Sequence, residues 1–185
     1  LLTFDSDKLT RVDLTAKKQS LEFGKNNQNE WQILKPKPLR ADGWQVEELI
    51  RRLRDAKMDT AAPTPEDQKK SAAAFASGTP IATAQVTDNS GTQKFEVRKS
   101  KDDYYAKSSA LDGAYKVPAD LGTGLDKGLE DFRNKKLFDF GFSDPTKLEI
   151  RRDGNTVAYA KSGDKWFSGP KQIDSASLQA FIDKV

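Results

Sequence analysis

The chain has 185 residues, 36% of them apolar and 32% charged, with a net charge of +3; that length suits one large domain or two small ones, and basic residues interleaved with acidic ones leave no nucleic-acid footprint. It holds no histidine and no cysteine, which removes the usual general base near neutral pH, the commonest metal ligand, disulfides and thiolate nucleophiles. No run approaches the ~20 apolar residues that cross a bilayer.

The chain opens Leu1-Leu2-Thr3-Phe4 without a methionine. This start in mid-pattern reads as a piece from which an export signal or membrane anchor has been removed upstream. Alternating apolar positions then mark three short strands, beginning with Leu9, Val12 and Leu14, continuing through Leu21 and Phe23, and ending with Trp31, Ile33 and Leu34. Asp42 stands where a helix N-cap belongs, ahead of the stripe Val46, Leu49, Ile50 and Leu53, so a helix is expected over 43–57. Residues 58–80 read as a connector with one short helix, started by Thr64-Pro65-Glu66-Asp67 and stopped at Gly78.

The middle third, 81–136, reads as four strands over 81–87, 93–99, 104–108 and 114–117, with turns at Asp88-Asn89-Ser90-Gly91 and Asp112-Gly113. One helix capped by Asp120 should follow, with Leu121, Leu125, Leu129 and Phe132 on its core side. Gly122, Gly124 and Gly128 weaken such a helix by roughly 1 kcal/mol each relative to alanine, unless close packing requires them.

The last quarter, 137–185, repeats the first. Thr10-Arg11-Val12-Asp13-Leu14 returns as Thr146-Lys147-Leu148-Glu149-Ile150, Leu21-Glu22-Phe23 as Val157-Ala158-Tyr159, and Trp31 as Trp166. The helix returns as well, with Asp174 for Asp42 and Leu178, Phe181, Ile182 and Val185 for the apolar stripe. Leu1 aligns with Leu137, and the stripe is only just complete at Val185, so a cut is expected at this end too. Such repetition says that one supersecondary unit, too small to bury its own apolar face, has been copied. The expected fold is α+β: a β-meander plus helix (βββα) in three copies, the middle one diverged, with antiparallel sheets covered by helices. The expected units are 1–57, the connector 58–80, 81–136 and 137–185.

The order of these motifs resembles a known family. It is carried by the tryptophan strand leading to proline, the Ala41-Asp42 helix cap, the junction Phe75-Ala76-Ser77-Gly78-Thr79-Pro80, the segment Tyr104-Tyr105-Ala106-Lys107, and Arg133-Asn134-Lys135-Lys136-Leu137 opening the last copy. Together they are similar to the bacterial domain of unknown function 4340 family, over essentially the whole chain. Ala76-Ser77 replaces the more familiar Gly-Leu at the junction. The resemblance implies an extracytoplasmic envelope protein, in the periplasm or at the cell surface, tethered by an N-terminal transmembrane helix and often found beside ABC transporter components of the gliding-motility type. It implies no catalytic residues.

Chemical signals in the sequence have plainer readings. Gly122-Thr123-Gly124 with Gly128 misses the dinucleotide spacing and lacks a parallel βαβ setting. Ser168-Gly169-Pro170-Lys171 has Ser-x-x-Lys spacing, but Gly-Pro prevents the helix that this chemistry needs. The pairs Asp5/Asp7, Asp102/Asp103 and Glu130/Asp131 sit in polar contexts, whereas a hydrolase pair needs a raised pKa and defined separation. No enzyme activity, cofactor or metal is expected. Candidates for partner contact are aromatics and arginines that periodicity leaves off the core. They are Trp44, opposite its helix's apolar stripe, Arg51 and Arg52 on the same polar side, and Tyr104, Tyr105 and Phe167, whose strand neighbours point the other way. The favoured function is a non-enzymatic binding or scaffolding module with a protein partner in a membrane complex. A carbohydrate or cell-wall binding module is the alternative, and a carboxylate-dependent hydrolase ranks third.

Overall fold

The computed structural model describes residues 1–138, 140 and 145–185. Residues 139 and 141–144, part of the third expected unit, lie outside the described residues. The chain divides into two units, Leu1–Asn134 and Lys135–Val185, each taken by itself below.

The first unit begins with a meander of four strands, β1 (Arg11–Ala16), β2 (Gln19–Lys25), β3 (Trp31–Lys35) and β4 (Leu39–Arg40), followed by helix α1 (Gly43–Arg54). A connector helix, α2 (Pro65–Ser77), leads to a second meander, β5 (Thr79–Asp88), β6 (Gly91–Ser100), β7 (Asp103–Ser108) and β8 (Leu111–Val117), closed by α3 (Ala119–Leu125) and α4 (Leu129–Phe132). The two meanders share one sheet. β1 pairs antiparallel with β5, from Arg11 opposite Thr87 to Ala16 opposite Ala82, giving the order β4-β3-β2-β1-β5-β6-β7-β8. The strands of the expected units 1–57 and 81–136 thus lie in one sheet.

Local chemistry explains the element ends. The Asp42 carboxylate accepts from the Gln45 N–H at 3.3 Å and starts α1. Thr64 and Asp67 form a reciprocal capping box at the start of α2, with Pro65 in the first turn. The helix expected after Asp120 is two helices: Pro118 occupies the N-cap of α3, and the chain leaves helical geometry over 126–128. It restarts because the Asp131 carboxylate accepts the Gly128 N–H at 2.8 Å and Gln19 accepts the Leu129 N–H at 3.0 Å. The turn expected at Asp112-Gly113 lies three residues earlier, at Ser109-Ala110, and Gly113 is inside β8 with φ of +102°.

Strand alternation places the core on one face and α2 on the other. Val12, Leu14, Ala82, Ala84, Val86, Phe95, Val97 and Ala106 are buried together with Val46, Leu49, Ile50 and Leu53 of α1 and Leu121 and Leu125 of α3. On the opposite face, Phe75 of α2 is buried beneath Arg98 and Lys107, whose charges lie 4.7 and 5.1 Å from its ring. The connector helix thus seals the outer face of the second meander.

The second unit repeats the first half of the first. Strands β9 (Lys147–Arg152), β10 (Asn155–Ser162), β11 (Lys165–Ser168) and β12 (Lys171–Gln172) form a sheet in the order β12-β11-β10-β9, followed by α5 (Ser175–Ile182). Equivalent residues pair alike: Leu14 faces Leu21 as Ile150 faces Val157, and Val12 faces Phe23 as Leu148 faces Tyr159. Trp31 lies opposite Lys25 and Trp166 opposite Lys161, each lysine charge sitting 5.0 and 6.0 Å from its indole. Both tryptophans are buried. Trp31 also donates its indole N–H to Glu47 of α1 at 2.7 Å, while Trp166 clusters with Leu178 and Ile182 of α5. Replacing either by alanine is expected to cost about 3–5 kcal/mol, the range for emptying a buried aromatic site. Chemical denaturation measures this, and a loss below about 1 kcal/mol would place the ring at the surface instead.

Candidate interaction surface

Helix α1 supplies the first candidate residues. Its buried stripe accounts for one side, and Trp44 on the other is 73% exposed. At ~100° per residue, Trp44, Glu48, Arg51 and Asp55 fall on one line along the helix. Glu48 holds both following arginines, with Arg51 at 2.8 Å and Arg52 at 3.1 Å. The Arg51 hydrogen bond, reinforced by the charges of Arg51, Arg52 and Lys127, keeps the Glu48 carboxyl below the ordinary glutamate range.

The two arginines differ in what they touch. Arg51 remains largely exposed beside Trp44's line. Arg52 reaches α3, donating to the Asp120 carbonyl at 3.3 Å and filling the space over Gly124, where an added Cβ would lie 2.6 Å from its guanidinium. Its role is to tie α1 to α3. Gly124 lies directly beneath this guanidinium.

The tyrosine pair is split by the sheet. Tyr104 packs against the main core, and Gly122 permits it, since a Cβ there would collide with the ring. Tyr105 instead lines a cleft of about 200 Å³ with Met58, Asp67, Lys70, Tyr115 and Lys116. Several polar groups of that cleft are already engaged: Tyr115 donates to the Asp112 carbonyl at 2.6 Å, Lys116 pairs with Asp103 at 2.9 Å, and Asp67 caps α2. Phe167, half-buried on β11, belongs to the second unit. Within the first unit the sequence candidates thus do not converge on one site. Trp44 and Arg51 share a helix line, whereas Tyr104 and Arg52 serve packing.

At least one carboxylate of each pair has a structural partner, Asp103 through Lys116. Asp5 caps a short 3₁₀ turn and pairs with Lys8 at 3.0 Å, Glu130 pairs with Arg133 at 3.0 Å, and Asp131 caps Gly128. Where carboxyl pKa values are displaced, at Asp5, Glu48, Asp55, Asp67, Asp88 and Asp174, the direction is downward, away from what a general acid needs. Among the described residues no group of three or more acidic side chains is placed to hold a metal.

The largest of these displacements is at Asp88, a residue not singled out by sequence reasoning beyond its turn. The Ser90 hydroxyl at 2.6 Å and the backbone N–H groups of Ser90 and Asp5 at 2.8 and 3.1 Å hold it down to about 2. Asp88 thereby fastens the segment around Asp5 to the β5–β6 hairpin.

Residues 31–185 match the family model described as a domain of unknown function (DUF4340). The chain belongs to this family. The match begins at Trp31, yet β1 and β2 before it complete the same meander that β9 and β10 build in the second unit. No curated protein and no solved structure matches the chain. Family membership is thus consistent with an α+β repeat protein and names no reaction.

Asp88 offers a pH test. Its folded pKa lies below the unfolded value of 3.8, so its contribution to stability is present in full above that value and is lost as pH falls toward 2. Asp88→Asn should flatten the fall in stability between pH 4 and 2, read from denaturation midpoints across that range. An unchanged acid limb would show that the hairpin contact does not govern it.

Proposed function

We propose that the chain is a non-enzymatic binding or scaffolding module of an envelope protein, held outside the cytoplasm by an N-terminal membrane tether and assembled with a protein partner in a membrane complex. The observation that carries this reading is Trp44. A tryptophan 73% exposed on a helix whose opposite side is fully used in the core is an anchor of the type that concentrates binding energy. Glu48 fixes Arg51 on the same line, adding an orienting charge beside the indole. The membrane location rests on resemblance to family members; no helix among the described residues is long and apolar enough to cross a bilayer.

The test places a photo-crosslinking amino acid at position 44 in the cells that make the protein. Crosslinks to a subunit of a membrane complex, lost from neighbouring buried positions, are expected. Trp44→Ala should leave the unfolding transition within about 0.5 kcal/mol of the parent, as for a surface site, while reducing assembly at least tenfold. Full assembly by that variant would overturn the reading.

The cleft beside Tyr105 favours a second reading, a carbohydrate or cell-wall contact, because Tyr105 and Tyr115 line it together with polar side chains at ring-sized volume. Binding on a glycan array that Tyr105→Ala abolishes would support it over the protein-partner reading, and an array without binding would remove it.

A further inference from the structure

The two units of the chain contain an internal control. The first meander of the first unit and the meander of the second share sequence, strand order and pairing, but among the described residues they differ at the outer edge of the first strand. There β1 is covered along its free edge by β5, and α1 is flanked by α3 and α4. Among the described residues no strand pairs with the outer edge of β9.

Equivalent residues report the difference. Leu2 is 8% exposed and its counterpart Phe138 is 57%; Leu21 is 2% and Val157 is 42%; Leu49 is 2% and Phe181 is 41%. Val12 and Leu14 are buried, whereas Leu148 and Ile150 are not. Phe138, Phe140, Leu148, Ile150 and Phe181 line a cleft of about 430 Å³ beside β9. An open strand edge next to such a cleft is a template for another strand.

We infer that this edge is a self-association surface, at which β9 pairs antiparallel with β9 of a second copy of the chain across a two-fold axis. The first unit shows the geometry already made within one chain, since its two like meanders join through antiparallel first strands, as a two-fold dimer requires. The occupant's chemistry follows from β9 itself, Lys147-Leu148-Glu149-Ile150-Arg151-Arg152 followed by Asp153. With Ile150 on the axis, Glu149 lies opposite the second copy's Arg151 and Lys147 opposite its Asp153, each pair made twice. The register copied from β1 and β5 would instead set Glu149 against Glu149 and Lys147 against Arg151, like charges that oppose pairing. Charge complementarity therefore selects the register with Ile150 at the centre; the two copies' Ile150 side chains then meet beside the cleft, and the aliphatic stem of Arg152 lies across from Leu148 of the other copy.

The inference concerns the second unit and stands or falls apart from the Trp44 surface. Sedimentation of the 185-residue chain from micromolar concentrations upward should give a monomer–dimer equilibrium. Glu149→Arg, on the solvent face, should weaken the dimer at least tenfold, and Arg151→Glu added to it should restore the affinity by exchanging the pairs. Because the chain has no cysteine, Ile150→Cys should form a disulfide-linked dimer under mild oxidation, the paired strands bringing the two Cα atoms within bonding range. Glu149→Cys should crosslink poorly. A chain that stays monomeric, as expected if a different meander fills this edge, would overturn the inference. So would a dimer indifferent to Glu149→Arg, or crosslinking through position 149 in preference to 150.

Discussion

The antiparallel pairing of β1 with β5 is the constraint on which the first unit depends. Six consecutive residue pairs join the meanders, and on the inner face Val12, Leu14 and Ala16 stand opposite Val86, Ala84 and Ala82. Small side chains at the middle of the sheet leave room for α1 and α3 to meet above it, where Leu53 and Leu125 are fully buried. Phe132 then contacts Phe23 edge-on at 4.9 Å, and the Arg133 backbone bridges Ala41, bringing the end of the second meander back to the start of α1. Each half completes the hydrophobic cover of the other, which neither could do alone at its size.

A chain that is one-third charged and only about one-third apolar has to place its charges without burying them unpaired. It does so in short local clusters. Glu22, nearly buried, lies between Arg11 at 3.1 Å and Lys35 at 2.8 Å, and Glu48 lies between Arg51 and Arg52. Because Arg11, Lys35 and Arg51 remain largely exposed to screening solvent, such pairs add little stability, on the order of 0–1 kcal/mol each. Their effect is geometric, because they fix long side chains along strand and helix surfaces. Trp44 stands out against that background, since its large apolar ring is presented beside an ordered ion pair instead of being covered by one.

The site candidates divide according to how they were reached. Trp44 was legible because helical periodicity needs only the positions of Val46, Leu49, Ile50 and Leu53. Tyr104 and Tyr105 could be assigned to opposite faces by strand alternation, but not to their neighbours. Gly122 receives one ring and α2 covers the other side, and both contacts join segments that local patterns do not connect. Arg52 was grouped with Arg51 by sequence, whereas the proximity of α3 makes it an interhelical tie.

Repeats, strand alternation, the hairpin turn at Asp88-Asn89-Ser90-Gly91 and the Asp42, Thr64 and Asp174 caps are local properties, and the amino-acid order alone determined them: side-chain period and capping hydrogen bonds act within a few residues. The correspondence of Trp31 with Trp166 was equally readable, whereas the lysines beside them, Lys25 and Lys161, came from the strand pairing. Tertiary structure alone decided which edge each copy's first strand would find. β1 and β9 carry the same alternation, yet one is the centre of an eight-stranded sheet and the other ends a four-stranded one. The reason is physical: alternation specifies the face that a strand buries, while the partner at its edge is chosen by hydrogen bonds and packing between segments about seventy residues apart, for which no short-range pattern exists.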